Sequence, residues 1–600
     1  MYIPQPITSR PEAVTQSTTL LSRAALFCIA CLFALPFMWP RHTLPIPSFY
    51  NEAIAALLVL VAALLAICVS TKSETRFAPR AVPYVALIFL PLIAVLCIQF
   101  AMGKPTFAYN VLFPIMMMAV ATGAAILGAS CARRYGYEKL LTWIAIALIA
   151  GACWNVAAQF AQLTKTTGDF ASLFTYSTGS LYGNLAQRNH LSTYLNWALI
   201  ASLYLFAKGR LPLAGLISLL LVFLVGLALT ASRMSWLQVI WTAGAGAYLV
   251  SKMARDQRPR HWRFILGLPL ALLAVTLVLP FLIDLLQLNF SKTAIERLQT
   301  EGLDRNRWLI YSQAWEIFKA HPWLGIGPGE LQFNQLLLMD HYKAVLFASS
   351  AHNLLLDLLV MTGVIGTAGF ACFGIAWLLR IRKRPVSLET AAILLLLAAL
   401  GIHTLLEFPE WYGFFLFPTA FFMGALETRC MLWRANLITR ILPIVCVVYG
   451  VACTGILWFQ YARLESLYVD HYQRNLKAKP ASVELLAQLY AFREKSFFEG
   501  PADFLLNWNL SLDPAGIDQK LIYSGQAIRY EPRSNVLYRH IVLLCIAGKT
   551  DEAKFYLLRL KSSIPDGFDD VARELINASK AHPESFSEIA AEAERLRKKQ

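Results

Sequence analysis

Residues 211–230 read LPLAGLISLLLVFLVGLALT, without one charged side chain, with Lys208 and Arg210 just before them and Ser232-Arg233 just after. About 20 such residues, wound as a helix, cross the hydrocarbon core of a bilayer. The pattern recurs along the chain. Thirteen candidate spans lie near 24–39, 52–70, 82–100, 108–130, 140–160, 191–207, 211–230, 235–251, 264–283, 353–379, 388–406, 411–427 and 437–460. The first is short, but Pro36, Met38, Trp39 and Pro40 stand where a signal peptide would carry its small-residue cleavage site, so it reads as an anchor.

Apolar residues make up 57% of the 600-residue chain and charged residues 15%, against about 25% charged in a soluble domain. Mean hydropathy is +0.52. Disorder and collagen are excluded, and the expected class is an all-α polytopic membrane protein. The formal charge of +16 does not gather into a nucleic-acid-binding patch. Basic residues lie between the apolar runs, where they set topology, and no nucleic-acid partner is expected. Of eleven cysteines, Cys28, Cys31, Cys68, Cys97, Cys153, Cys372, Cys446 and Cys453 fall inside apolar runs. They read as small buried hydrophobes, so neither a disulfide framework nor a zinc site is expected.

Orientation follows from the loops. One set of alternate connections holds Arg10 and Arg23, then Lys72, Arg76 and Arg80, then Arg133, Arg134 and Lys139, then Lys208 and Arg210. It continues with Lys252, Arg255, Arg258, Arg260 and Arg263, with Arg380, Arg382, Lys383 and Arg384, and with Arg429, Arg434 and Arg440. The opposite short loops hold only Arg41, Lys104, Lys165, Arg188 and Arg233. The asymmetry keeps its sign throughout, which predicts an inner N-terminus (1–23), a membrane region (24–460) and an outer C-terminal region (461–600). The long segments 161–190 and 284–352, the Ser232-Arg233 turn and the Glu407–Trp411 turn then share the outer face. No GxxxxGK[ST] phosphate loop occurs, so the chemistry is expected outside, driven by energy stored in a substrate. In the tail, Pro532 and Pro565 flank a helix–turn–helix bent at Gly548, a spacing close to a tetratricopeptide unit, and a small helical domain follows from it.

Several polar residues collect at this outer face. Gln187, Arg188 and Asn189 open a span, where free backbone N–H groups favour anions and a guanidinium can grip phosphate; the alternative is a polar cap with Arg188 snorkelling to headgroups. Arg233 has almost no loop to justify it, so it should face the bundle or a water-filled cavity, unless it is an interfacial anchor beside Trp236. The stretch Arg305-Asn-Arg-Trp-Leu-Ile-Tyr-Ser-Gln-Ala-Trp reads as an amphipathic helix with an apolar face for the interface. His321-Pro-Trp-Leu-Gly-Ile-Gly-Pro-Gly-Glu330 reads as a structured turn and only weakly as a phosphate cradle. His352, beside Asn353, sits where a helix opens and can exchange a proton near neutrality, although a lone His is usually structural; His341 and His321 are weaker candidates. Glu407-Phe-Pro-Glu-Trp-Tyr412 puts two carboxylates and a phenol in one turn, or else forms an aromatic belt with solvated acids.

Together, Gln187-Arg188-Asn189, Ser232-Arg233, Arg307 ahead of the glycine-rich turn, Ala351-His352-Asn353 and Glu407 to Tyr412 resemble the O-antigen ligase/polymerase superfamily. They are most similar to the PglL-type bacterial protein O-oligosaccharyltransferases. The specific motifs cover about 180–430; the remainder agrees in layout. The resemblance sets this plan of about thirteen spans in the bacterial inner membrane, with the large outer loop and the C-terminal extension in the periplasm. It implies transfer of a glycan from undecaprenyl pyrophosphate to Ser or Thr of a periplasmic protein such as a pilin. Gln187, His352 and Tyr412 carry over as activity-critical, and Arg188, Arg233 and Arg307 as pyrophosphate ligands, with Asn189 and Asn353 beside them. One departure is that Ala351 stands where a second His or polar residue is common, leaving His352 without a local relay; Glu407 is then a competing base. No Asp/Glu cluster suited to a divalent ion occurs among the motifs, so catalysis without metal or other cofactor is expected. Alternatives are a ligase acting on lipid A–core, a Wzy-type polymerase, a lipid-linked sugar transporter and an envelope scaffold. A transporter should show charges buried mid-span, whereas the polar residues here collect at the outer surface.

Overall fold

The computed structural model describes residues 16–73, 80–177, 179–259, 261–288, 305–340, 346–433, 436–476, 483–563 and 567–598. Arg10, Arg76, Arg260, Arg434 and His341 lie outside them. The chain is an all-α polytopic membrane protein, and each of the thirteen apolar stretches coincides with a helix. Among the described residues eight helices are long and apolar enough to cross a bilayer: Leu20–Met38, Phe49–Val69, Tyr84–Ala101, Ala108–Tyr135, Tyr137–Leu163, Trp262–Leu285, Leu354–Ile381 and Leu437–Leu476. Leu213–Leu229, Leu388–Thr404 and Gly413–Leu426 are apolar but shorter. Arg188–Ala207 and Arg233–Ser251 match spans in length but carry buried polar residues.

Cys28 and Cys31 are spaced as CxxC, yet all eleven cysteines are free. Cys68, Cys97, Cys372 and Cys446 are exposed on the protein surface, so these four are not the buried hydrophobes expected. In a bilayer an apolar thiol costs little on the lipid side, and hydrophobicity alone does not say which side of a helix faces inward.

A two-stranded antiparallel sheet, unforeseen in the sequence, joins Arg80–Pro83 to Cys430–Trp433 with Arg80 opposite Trp433. It clasps two of the basic connections at one end of the bundle. At the other, loop-rich end, the glycine-rich turn does structural work. Helix Leu354–Ile381 breaks at Gly363, whose φ is +62°. The freed carbonyls of Val360 and Met361 accept from the N–H groups of Ile326 (2.9 Å) and Gly327 (3.0 Å), and the N–H of Val364 donates to the Pro322 carbonyl (2.8 Å). Gln99 Nε2 adds a bond to the Met361 carbonyl at 2.8 Å. A Cβ on Gly325 would lie 2.5 Å from the Met361 backbone, and one on Gly363 would collide with that of Trp323. A break inside an apolar helix is tolerable only where another segment satisfies the backbone, and residues 322–327 are that segment.

Helix Arg305–Ala320 buries Ile310, Ala314 and Ile317 against Ile326, Leu331, Ala348 and Val360. Its apolar face therefore packs on protein, not on the bilayer interface as expected; Trp308 and Trp315 are its exposed large apolar side chains. Helix Leu437–Leu476 runs 40 residues, about 60 Å and twice the hydrocarbon thickness. Position 461 thus falls inside one continuous helix. Among the described residues seven helices follow, from Val483–Lys495 to Pro583–Lys598. The predicted helix–turn–helix is Ser534–Ile546 and Thr550–Ser563 around Gly548. Leu336 and Met339 of the long loop join the core of this region, and Arg529 stacks on Phe333 at 4.4 Å. The C-terminal helices are therefore packed onto the loop-rich end.

Candidate active site

Three helices begin side by side at this end. Each opens in the same way, with a non-glycine residue at positive φ followed by a polar cap. Ala186 (φ +53°) precedes Gln187, Ala231 (φ +50°) precedes Ser232, and His352 (φ +53°) precedes Asn353. Left-handed backbone costs a non-glycine residue about 1 kcal/mol or more, so three adjacent cases mark a place where the surroundings dictate geometry. Gln187 Oε1 accepts from the His190 N–H at 2.6 Å, Ser232 Oγ from that of Met234 at 3.1 Å, and Asn353 Oδ1 from those of Leu355 and Leu356. These are N-caps, and they leave the positive ends of three helix dipoles in one place. Helices Arg188–Ala207 and Arg233–Ser251 have no acid in the first turn. The acid in the third, Asp357, is spent on the Ser350 hydroxyl (2.6 Å) and the Ala351 N–H (2.7 Å), bonds that shape the turn carrying His352.

Glu407 ties the helices together. Its Oε1 accepts from Arg307 at 2.6 Å and from Asn189 Nδ2 at 3.1 Å, and its Oε2 faces His352 Nδ1 at 2.9 Å. Asn189 Oδ1 in turn accepts from the Ser232 hydroxyl at 2.5 Å. The relay missing beside His352 in the sequence is thus supplied by Glu407, 55 residues away. Rather than standing as rival bases, the two form one pair. Asn353 Nδ2 donates to the Leu405 carbonyl, fixing the turn that bears Glu407. Tyr412 packs edge-on against His190 with ring centres 4.6 Å apart, and among the described residues its hydroxyl has no partner. Arg188 is half-buried and Arg233 exposed, each at the first position of its helix.

The turn before Gln187 is braced from two sides. Asn155 Oδ1 accepts from the Asn184 N–H and Gln162 Oε1 from that of Gly183. His42 Nε2 meets the Asn184 carbonyl at 2.6 Å. Burial holds the His42 pKa below its ordinary value, against the opposing pull of the Asn184 and Pro47 carbonyls. Glu410 is the second carboxylate of the turn that bears Glu407. Both its carboxyl oxygens are buried, and among the described residues no other side chain hydrogen-bonds them. Burial pushes its pKa up to about 8, with Asp357 acting in the same direction and its own backbone N–H opposing.

Polar residues also run deeper than expected. Thr193 Oγ1 lies 2.8 Å from His403 Nδ1 and accepts from Gln238 Nε2 at 2.7 Å. Asn196 donates to Thr242 at 3.1 Å, about 12–14 Å below the helix starts at 1.5 Å per residue. The expectation that polar groups stay at the outer surface is therefore too narrow. They are uncharged or paired and cross-link three helices, which is how buried polar groups are usually satisfied in membrane bundles. Their signal was present as i,i+4 spacing of Ser192 with Asn196 and of Gln238 with Thr242. Among the described residues no group of three or more His, Cys, Asp or Glu side chains is placed to hold a metal ion.

Residues 181–206 match a family model described as protein glycosylation ligase, 217–371 one described as O-antigen ligase, and 391–572 one described as virulence factor membrane-bound polymerase, C-terminal. These matches support a PglL-type member of the O-antigen ligase/polymerase superfamily. Every site residue of this superfamily member falls inside a matched region: Gln187, Arg188 and Asn189 in the first, Arg233, Arg307, His352 and Asn353 in the second, Glu407 and Tyr412 in the third. Two proteins of Acinetobacter baylyi are similar over most of their length. A general O-oligosaccharyltransferase is 25% identical over 495 residues, covering 78% of this chain and 80% of the relative. A ComP-specific O-oligosaccharyltransferase is 22% identical over 523 residues, covering 84% and 88%.

Proposed function

We propose that this chain is a protein O-oligosaccharyltransferase of the bacterial inner membrane, which moves a glycan from undecaprenyl pyrophosphate to a Ser or Thr hydroxyl of a periplasmic protein such as a pilin. The observation that carries the reading is the convergence of three capped helix N-termini, two of which bear Arg188 and Arg233 at their first helical positions, with Arg307 on the Glu407–His352 pair. Helix N-termini and guanidinium groups suit a pyrophosphate, and they stabilise the charge that grows on it as the glycosyl bond breaks. Glu407 holds His352 Nδ1–H, which leaves Nε2 as the acceptor of the hydroxyl proton, an arrangement with the logic of a catalytic triad. The acceptor oxygen bonds to the anomeric carbon, its proton passes to His352 Nε2, and the polyprenyl pyrophosphate departs with the bonding electrons. Both Glu407 oxygens already accept hydrogen bonds, so it acts as the positioning residue. Gln187 and Tyr412 are assigned to orient donor or acceptor. The C-terminal helices, packed beside the site, form the acceptor-facing domain.

Reconstitution tests this. Purified protein, undecaprenyl-pyrophosphate glycan and a pilin acceptor should yield a glycan-sized mass gain on a Ser or Thr peptide, lost in His352→Ala and Arg233→Ala. The match of residues 217–371 to the O-antigen ligase model favours one second reading, a lipid A–core acceptor. That reading wins if lipid A–core receives the glycan while the pilin does not. No transfer to either acceptor would refute both and return attention to transport.

A further inference from the structure

Helix Arg305–Ala320 buries its aliphatic face, yet two of its largest side chains stay outside. Trp308 is 72% exposed and Trp315 47%. Seven residues apart, they share one face of the helix, about 10 Å from each other along its axis. Ser312 lies between them and Lys319 one turn beyond, both exposed. Lys319 pairs with Glu316 at 2.8 Å. A face that carries a hydroxyl and an ion pair among its indoles suits water and a polar ligand better than hydrocarbon. This stripe leads out of the candidate active site. Arg307, one residue before Trp308, reaches Glu407 at 2.6 Å. The Trp308 ring meets Tyr311 edge-on with centres 6.0 Å apart, and the Tyr311 hydroxyl donates to the His352 carbonyl at 3.5 Å. Burial of Ile310, Ala314 and Ile317 fixes the helix from behind. The two indoles are therefore held at a set spacing from the Glu407–His352 pair.

We propose that Trp308 and Trp315 form a stacking platform for the oligosaccharide of the donor, which runs along this helix away from the pyrophosphate. The assignment rests on the glycan transfer proposed above. A pyranose ring presents a face of C–H groups, slightly positive, which packs against the negative face of an indole. Its hydroxyls point outward from the rim, where Ser312, Glu316 and Lys319 offer hydrogen-bonding partners. The separation of about 10 Å is the reach of about two linked pyranose rings, so one chain can cover both indoles. Trp308 lies nearer the reacting end, and Trp315 takes a sugar farther from it. A glycan held at two points beyond the reacting bond also aligns the anomeric carbon with the acceptor, which charge on the pyrophosphate alone does not do.

The test uses the full-length protein in nanodiscs, with undecaprenyl pyrophosphate carrying either one N-acetylglucosamine or a chain of three. With the trisaccharide donor, Trp308→Ala and Trp315→Ala should each raise KM about two- to tenfold, the loss of one aromatic stacking contact, at unchanged kcat. With the monosaccharide donor, Trp315→Ala should leave KM unchanged, because a single sugar beside the pyrophosphate does not reach it. Trp315→Phe, which keeps a ring, should restore most of the loss. Trp433→Ala, at the opposite end of the bundle, is the control, and a thermal melt accompanies each variant. Equal loss with both donors in Trp315→Ala, or no change with either, overturns the proposal. Equal loss in nanodiscs that disappears in detergent would overturn it by assigning the indole to the bilayer interface. If wild-type protein transfers glycan from neither donor, the transferase reading fails, and the fluorine resonance of a fluorotryptophan at position 315 then decides the platform. Displacement by the trisaccharide donor and not by the monosaccharide one upholds it, and any other result overturns it.

Discussion

Glu407→Gln replaces a carboxylate that three donors share. Its side chain is 9% exposed, while that of Arg307 is 31% exposed. Removing one partner of a fully buried ion pair costs about 3–5 kcal/mol. Arg307 can still reach water, so a cost of roughly 1–2 kcal/mol in stability is expected. Catalysis should suffer more. The amide offers His352 Nδ1 either its oxygen or its NH₂, and the second choice puts the imidazole proton on Nε2, where it blocks acceptance of the hydroxyl proton. An orienting carboxylate replaced by its amide in a catalytic triad lowers kcat by about 10⁴-fold. Here a loss of about 10²–10⁴-fold is expected, or about 3–5 kcal/mol in the barrier. The assay is single-turnover glycan transfer at saturating donor, read by intact mass, with a thermal melt of each variant. His352→Ala should lose a similar factor, and the double variant should be scarcely worse than either single one, because the two residues act as a unit. Multiplying losses, or near wild-type turnover in a well-folded Glu407→Gln protein, would refute the relay.

Other expectations follow from neighbouring features. Gly363→Ala should destabilise the protein by about 1–3 kcal/mol or more through its positive φ and the collision with the Trp323 backbone; hydrogen exchange should show residues 321–329 losing protection first, and uniform protection would contradict the docked-turn account. The Glu410 pKa is raised in the folded state to about 8, so its stabilising contribution is complete below the unfolded carboxyl value of about 4.3 and is lost as pH rises through about 8. Glu410→Gln should therefore melt above wild type at alkaline pH and little differently near pH 4, and a constant difference across that range would count against a buried neutral acid. Chelation should leave transfer unchanged, whereas activity abolished by chelator and restored by magnesium would refute metal-independent catalysis.

The membrane class and the helix positions were legible in the sequence, because uncharged runs of span length have few other ways to satisfy their backbone. Cap residues were legible too: Gln187, Ser232 and Asn353 are recognisable from a polar side chain just ahead of an apolar run. What tertiary structure alone decided is proximity. Glu407 meets His352 and Arg307 only because the turn after Leu388–Thr404 is fixed to Asn353 through the Leu405 carbonyl, a contact with no local signature. The glycine-rich turn showed its glycines but not their purpose, which depends on a break 38 residues further on at Gly363. The apolar face of Arg305–Ala320 suited either lipid or protein, and Arg233 either a cavity or a surface. Hydrophobic pattern fixes which residues avoid water, since that preference belongs to each side chain. Which apolar or polar neighbour each one meets depends on how separate helices pack, and that is a property of the assembled bundle.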